Sequence, residues 1–264
     1  NTAWAFATAG HEAPELFKAI SAEAARRGLR SFNPQALSNT AWAFATVGHA
    51  SPDLFKAISA EAVRRGLGGF KEQALSNTAW AFAVADPSSA DELFGAASFT
   101  TRCAHLESSF SHDDLGQLHQ WSLWRDERGA QWPGLPESLR QACRNAFVTH
   151  GETSSRMQSD VVREIRSRGF QVEEEHRCET SGYSIDALVT LNNGEQVAVE
   201  VDGPSHFVGR SKQPTGPTLL KHRQLRRFGW RLETVPYWEW DRDKQLPHSL
   251  AQLLQSGPSA SVRA

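Results

Sequence analysis

Apolar positions recur with a helical period through the first third of the chain, and one pattern occurs three times. The sequence NTAWAFA begins at Asn1, Asn39 and Asn77, which gives a fixed spacing of 38 residues. Within a copy the apolar side chains also return at helical spacing, as at Leu37 and Ala41. A fixed period of this length is typical of stacked helical units that share a continuous core. Residues 1 to about 95 are therefore predicted to form an α-helical solenoid of helix-pair repeats.

Helix boundary signals divide each repeat into two helices. Asn33 is a suitable N-cap, and Pro34 fits the first helical position because that position needs no N–H donor. Pro52 starts the second helix in the same way, and Gly66 can end it in the left-handed conformation. The repeat is thus a pair of helices joined by short loops.

The next region, residues 96–151, keeps leucines and aromatic residues at mainly helical spacing. Ser111 or Asp113 is expected to cap its first long helix, and a proline-containing loop precedes a last helix from about Glu137 to Val148. A terminal unit of this kind covers the apolar end of a repeat stack. We predict that this region is a helical cap and connector.

The period changes in residues 152–264, where short apolar runs alternate with helices. The sequence predicts helices at 156–169 and 218–228 and strands at 170–172, 185–191, 197–201 and 231–235. The acidic run EEEHR, which begins at Glu173, is expected to be solvated. This part of the chain is predicted to be an α/β domain.

Three acidic side chains interrupt the two central strands: Asp186, Glu200 and Asp202. Buried carboxylates are costly unless they face a cation or a hydrogen-bond donor. A two-residue loop at 193–194 would put Asp186 on the opposite face from the other two, because side chains alternate along a strand. A three-residue loop at 193–195 would pair Asp186 with Asp202 and place all three acids on one face. Carboxylates gathered in this way suit a hard cation such as Mg²⁺.

Composition limits the class of protein more than it specifies a function. The chain has 264 residues, of which 39% are hydrophobic and 22% charged, and this mixture is typical of a folded globular protein. Its apolar runs are too short for a membrane span. The three cysteines lie far apart, which disfavours a zinc site or a disulfide framework. Because the chain opens inside a repeat without Met, we expect upstream repeats and a targeting segment to be missing.

The formal net charge of -2 hides an uneven distribution of charge. No acid occurs from Ser205 to Leu232, and this stretch contains several cationic residues. Such a cluster can bind phosphates by releasing counterions, and the nearby Trp230 could stack on an unpaired base. The candidate nucleic-acid-binding residues are His206, Arg210, Lys212, Arg223, Arg226, Arg227 and Trp230.

Four segments between Met157 and Arg242 resemble the RAP domain, an RNA-binding domain: SIDALV, VAVEVDGPSHF, PTGPTLLKHRQLRRFGW and VPYWEW. That family is similar to nucleases of the restriction-endonuclease-like fold. The resemblance implies Asp186, Glu200, Asp202 and Lys221 as catalytic residues, with Asp186 and Glu200 binding Mg²⁺ if the domain is a nuclease. These nucleases commonly have a catalytic lysine where this chain has Asp202. Lys221 is therefore the candidate for the role of that lysine, and His206 is a second candidate acid or base.

The repeats resemble octotricopeptide repeats through Leu37, Ser38, Asn39, Trp42 and Ala43. Proteins that combine such repeats with a RAP domain bind RNA in mitochondria or chloroplasts and affect its stability, processing or translation. The resemblance implies single-stranded RNA as the partner, together with protein partners in an RNA-processing complex.

Two other functions remain open at this level. The acid cluster could make the chain a metal-dependent endoribonuclease. Alternatively, the same acids could have a purely structural role and pair with Arg223 or Arg226. The solenoid could instead bind protein, because paired helices do not by themselves specify nucleic acid.

Overall fold

The computed structural model describes residues 2–129, 131–149, 154–243 and 245–255. It divides into two compact units. The first, here called the repeat unit, consists of residues 1–150 and 207–221, and the second, the sheet unit, consists of residues 151–206 and 222–264. The repeat start at Asn1 and the predicted boundary at 151–152 lie outside the described residues.

The repeat unit is helical. Its helices are α1 (Thr2–Thr8), α2 (Pro14–Arg27), α3 (Pro34–Thr46), α4 (Pro52–Arg64), α5 (Glu72–Ala85), α6 (Ala90–Phe94), α7 (Ser98–His105), α8 (His112–Glu127) and α9 (Glu137–Thr149). The first helices of successive pairs contact one another, α1 with α3 and α3 with α5, and α8 continues this layer against α5. The second helices form a parallel series of contacts, α2 with α4 and α4 with α6.

The predicted helix ends are confirmed. The Asn33 side chain accepts a hydrogen bond of 2.8 Å from the Ala36 N–H, which satisfies a free donor in the first turn of α3. Gly66 follows α4 with a φ of 60°. Of the two candidate caps for α8, Ser111 is the one used, in a reciprocal capping box with Asp114.

Small and aromatic residues share the core of the repeat unit. Most alanines of α3 and α5 are buried, which lets these two helices approach closely. The Trp42 and Trp80 rings lie 6.2 Å apart between their centroids, and edge-to-face phenylalanine pairs join successive helices, such as Phe55 with Phe82 at 5.1 Å. These tryptophans therefore contribute to packing between helices.

Residues 207–221 close against the end of α3. The Gln213 side-chain amide donates hydrogen bonds to the carbonyls of Val47, at 2.9 Å, and Gly48, at 3.2 Å. Gly216 approaches the same helix so closely that a Cβ atom would lie 2.2 Å from the Ala45 carbonyl oxygen. Only glycine fits this position without a shift of the backbone.

The sheet unit contains a four-stranded mixed sheet in the order β1-β2-β3-β4. Its strands are β1 (Gln171–Arg177), β2 (Ser184–Thr190), β3 (Gln196–Asp202) and β4 (Leu232–Pro236). The first two pairings are antiparallel and the third is parallel. The remaining helices are α10 (Arg156–Ser167), α11 (Gly216–Arg227), α12 (Tyr237–Asp243) and α13 (His248–Gln255). Helix α11 begins in the repeat unit and ends in the sheet unit.

One face of the sheet packs against α10 and α13 through an apolar cluster that includes Val161, Val199 and Leu250. Because α13 covers this face, the valines of β3 at 197, 199 and 201 are almost completely buried. Within the described residues, no helix is both long and apolar enough to cross a membrane.

Within the EEEHR run, Glu173, Glu174 and Arg177 are exposed, as predicted, but the strand predicted at 170–172 was too short. These residues lie in β1, which is more than twice as long as the strand predicted at 170–172. The edge position explains the difference, because β1 pairs with only one neighbour and leaves Glu173 and Glu174 exposed. Charged residues at an edge strand are compatible with pairing, whereas they would be costly in a central strand.

Candidate functional site

The three acids of the central strands share one face of the sheet. Ala187 lies opposite Val199, so extending this register by one residue places Asp186 opposite Glu200. Asp202 is two residues beyond Glu200 and therefore projects to the same side. This face is opposite to the one that carries Val199 and the α10–α13 core.

The loop that sets this register differs from both predicted loops. Leu191 donates a backbone hydrogen bond of 2.8 Å to the Glu195 carbonyl, so the connection has three residues, Asn192 to Gly194. Gly194 has a φ of 84°, a conformation that favours glycine. The loop begins one residue earlier than the three-residue loop predicted, and Asp186 aligns with Glu200 instead of Asp202. The shared face survives because the register shifts by an even number of residues.

Asp186 is held by the backbone of the neighbouring strand. Its Oδ2 accepts a hydrogen bond of 2.7 Å from the Val201 N–H, and its carbonyl oxygen accepts one of 3.2 Å from the Gln158 side chain. The carboxylate thus satisfies a backbone donor at the end of the β2–β3 ladder. A buried donor of this kind is costly to leave without an acceptor.

A fourth acid, Glu175, is fixed by contacts with α10 and β2 and was missed by the sequence prediction. It lies in β1 between the residues that pair with Ala187 and Ile185, and it has a φ of 53°, which is unusual for a residue other than glycine. Its carboxylate accepts hydrogen bonds of 2.7 Å from both Gln158 and Ser184. No signal in the sequence distinguishes Glu175 from Glu173 and Glu174, because the distinction comes from the fixed contacts with α10 and β2.

Asp202 lies between two histidines. Its Oδ1 is 2.9 Å from His206 Nδ1 and 3.4 Å from His222 Nε2, and only 2% of the residue is exposed. Burial is the largest influence and raises the pKa of Asp202, but hydrogen bonds from His206 and His222 outweigh it together and hold the pKa below its usual value. His222 was not among the predicted site residues, because it lies 20 residues along the chain and only α11 brings it to the acid.

The carboxylates are already engaged or enclosed in ways that bear on Mg²⁺ binding. Glu200 is fully buried beside Asp186, and Asp186 already accepts a backbone hydrogen bond. Among the described residues, no three His, Cys, Asp or Glu side chains come together in a way that would hold a metal ion. The acids therefore do not fit a magnesium site as they are arranged, and RNA cleavage by this cluster stays a prediction.

The predicted nucleic-acid-binding residues fall in both units. Arg210 and Lys212 belong to the repeat unit, as does the predicted catalytic residue Lys221. The other nucleic-acid-binding candidates belong to the sheet unit: His206, Arg223, Arg226, Arg227 and Trp230. The catalytic role of Lys221 stays a prediction.

Trp230 is half-buried rather than free to move. Its indole N–H donates to the sulfur of Cys178 at 3.3 Å, and its ring lies 5.7 Å from that of His176. These contacts fix the ring within the sheet unit, and its stacking on a base stays a prediction.

Arginine pairs at the ends of α2 and α4 are partly neutralised, because one glutamate of the same helix binds both arginines. Glu23 binds Arg26 and Arg27, and the Arg26 contact is 2.7 Å. Glu61 binds Arg64 at 2.7 Å and Arg65 at 2.6 Å. The hydrogen bond from Arg26 lowers the pKa of Glu23 to about 2, despite an opposing effect of burial.

The same spacing in α11 has no acid. Arg226 and Arg227 end this helix, and Arg223 stands three and four residues before them, where α2 and α4 have glutamate. Both Arg226 and Arg227 are exposed. Their positive charge is therefore not offset by an acid of the same helix.

Comparison with known proteins relates part of the chain to a family. The RAP domain family matches residues 199–245, which include the last four residues of β3, Asp202 with His206 and His222, and α11. A chloroplastic RAP domain-containing protein from Oryza sativa subsp. japonica is 34% identical over 107 residues. That match covers 40% of this chain and 16% of the relative's length. Residues 199–245 of this chain therefore match the RAP domain.

Proposed function

We propose that this chain binds single-stranded RNA in an organelle and acts in the stability, processing or translation of that RNA. The RAP domain and the chloroplastic relative support an RNA-related role in an organelle. In this proposal the helical region is a solenoid of octotricopeptide-like repeats that contributes to RNA binding, and the RAP domain has a restriction-endonuclease-like fold that binds without a requirement for metal.

The observation that carries the proposal is the cationic end of α11. Arg226 and Arg227 are exposed at the end of a helix with no acid between Gly216 and Arg227. In the described part of the chain, Arg226 forms no ion pair, in contrast to Arg64 and its Glu61 partner at 2.7 Å. Exposed arginines can replace the counterions of phosphates, and the release of those counterions favours binding.

Binding is best measured by fluorescence anisotropy with a labelled oligouridine of about 20 nucleotides, which exceeds the ~4–16 nucleotides that one small binding fold covers. The double variant Arg226→Ala/Arg227→Ala removes the proposed phosphate contacts. We expect its affinity to fall about tenfold and the slope of log K against log salt to decrease by about 1.4, since each contact to a single strand contributes about 0.7.

Arg26→Ala/Arg27→Ala is the matched control, because it deletes the same dipeptide and the same charge from a helix whose arginines already have a glutamate partner. This control should keep nearly the affinity of the unaltered protein. Equal losses in the two variants would show a general charge effect and contradict the role assigned to α11. Absence of RNA binding by the unaltered protein at low salt would refute the function itself and favour a protein-binding solenoid.

A further inference from the structure

A cavity of about 430 Å³ lies in the sheet unit where the β2–β3 loop, the start of β4 and α13 meet. Phe170, Leu191 and Leu253 supply apolar parts of its lining. Its size is within the range of about 300–1,000 Å³ that is typical of small-molecule sites. It lies at the start of β3, whereas Asp202 and its histidines lie at the end of that strand.

Two carboxylates line the cavity, and other side chains hold both in place. Arg231 donates to Glu195 Oε1 at 2.8 Å, and the Glu195 N–H donates to the Asn193 side-chain oxygen at 2.9 Å. Glu233 Oε2 accepts a hydrogen bond of 2.9 Å from the Ser249 hydroxyl. The Arg231 contact also lowers the pKa of Glu195, so this carboxylate is ionised near neutral pH.

The chemistry of this lining favours a flat ligand that donates hydrogen bonds from its edge. Apolar side chains can contact the face of a nucleobase, and carboxylates accept hydrogen bonds from its N–H groups. Guanine presents two adjacent donors, at N1 and N2, on its Watson–Crick edge. Adenine, cytosine and uracil each present one donor beside acceptors, and an acceptor would face the negative charge of Glu195 or Glu233.

The chain connects this cavity directly to the cationic end of α11. Arg231 lines the cavity and comes only four residues after Arg227. Four residues span at most about 14 Å, because a fully extended chain covers ~3.6 Å per residue. One short segment of RNA can therefore reach the arginines with its phosphates and the cavity with a base.

We propose that the cavity binds one unpaired guanine base, with Glu195 and Glu233 as the acceptors for its N1 and N2 hydrogens. The inference rests on the proposed RNA binding and adds a base preference to it. Arg231 and Ser249 are positioning residues, since each holds one of the carboxylates.

The test compares an oligouridine with the same strand carrying one central guanine, adenine or cytosine. We expect the guanine strand to bind the full chain about tenfold more tightly than the other three, within the range expected for a well-placed pair of hydrogen bonds to a base. Glu233→Gln should abolish this preference and leave the affinity for oligouridine unchanged. Glu239→Gln makes the same change of charge at an exposed residue that does not line the cavity, and it should keep the preference.

A second variant covers the case in which Glu233→Gln does not fold. Ser249→Trp places a bulky ring at an exposed lining position and should exclude the base while oligouridine still binds. Guanosine monophosphate added as a competitor distinguishes the two sources of guanine. If guanosine monophosphate displaces the guanine strand only at millimolar concentration, the ligand of the cavity is a base within RNA. If the free nucleotide binds tightly and a guanine in the RNA has no effect on affinity, the proposal is overturned.

The remaining outcomes separate this proposal from the proposed function. If the four strands bind equally well, the guanine site is refuted and RNA binding stands. A preference for adenine or cytosine refutes guanine as the ligand, and a guanine preference that survives both Glu233→Gln and Ser249→Trp refutes the location. If none of the strands binds, both proposals fail.

Discussion

The arginine pairs of the repeats and the arginine pair of the RAP domain differ in one residue. In α2 and α4 a glutamate precedes the pair by three and four positions, and its carboxylate binds both guanidinium groups. In α11 the equivalent position is Arg223. One of the two charges of this dipeptide is therefore offset in α2 and α4, whereas in α11 a further positive charge precedes it.

This difference shows why a count of basic residues is a poor guide to nucleic-acid binding. The net charge of -2 gives no general attraction to phosphates, and the repeats contribute little free positive charge because Glu23 and Glu61 offset their arginines. The distribution within single helices is what sets the local potential. Three experiments change the residue that precedes the arginine pair by three and four positions, one in each of the helices α11, α2 and α4.

The largest effect is expected from Arg223→Glu, which gives α11 the charge pattern of α2 and α4. The new carboxylate would remove one positive charge and bind Arg226 and Arg227, since residues three and four apart meet on a helix surface. We expect RNA affinity to fall about 30-fold, with a reduction of about 2 in the salt slope, because three phosphate contacts are lost. Anisotropy titrations at several salt concentrations measure both quantities.

Arg223→Gln is the control for this experiment, because it removes the same arginine without adding an acid. It should lower the affinity by only about threefold. If the glutamine and glutamate variants bind RNA equally, neutralisation within the helix is not the cause.

A smaller effect in the opposite direction is expected from Glu23→Gln. This change releases Arg26 and Arg27, whose side chains are 67% and 68% exposed. Affinity for oligouridine at low salt should rise about threefold and return to the original value at high salt, where surface charges are screened. Glu15→Gln makes the same change of charge in the first turn of α2. A similar rise in that variant would mean that net charge alone is responsible.

The smallest effect concerns folding and pH. Hydrogen bonds from Arg64 lower the pKa of Glu61 to about 2, with burial opposing and Arg65 adding to the shift. Since the folded pKa lies below the ordinary value of 4.5, the ion pairs stabilise the fold fully above that value and are lost as pH falls through about 2. The difference in free energy of unfolding between the unaltered protein and Glu61→Gln should be constant near neutral pH.

That difference should then shrink as the pH falls from about 4.5 towards 2, and urea denaturation followed by circular dichroism measures it. If the difference does not change over this range, the arginines do not stabilise the ionised form of the Glu61 carboxylate.

Sequence reasoning was most successful where the interacting groups are close along the chain. The Asn33 cap, the Gly66 helix end and the start of α9 at Glu137 depend on neighbours within one turn, and the structure has them where predicted. It was less successful for β1, whose charges mask a strand, and for the loop at Asn192, where one residue changes the register.

By itself, the sequence determined the helix pairs, the alternation that puts Glu200 and Asp202 on the same face of β3, and the acid-free charge of α11, whereas the observed register decided that Asp186 joins that face. The first three features depend on local periods and on composition. Only the tertiary structure decided that Asp186 accepts the Val201 N–H, that His222 reaches Asp202, and that Gly216 closes on Ala45. Each of these contacts joins residues that are distant in the chain, so packing and strand register place them and no local pattern records them.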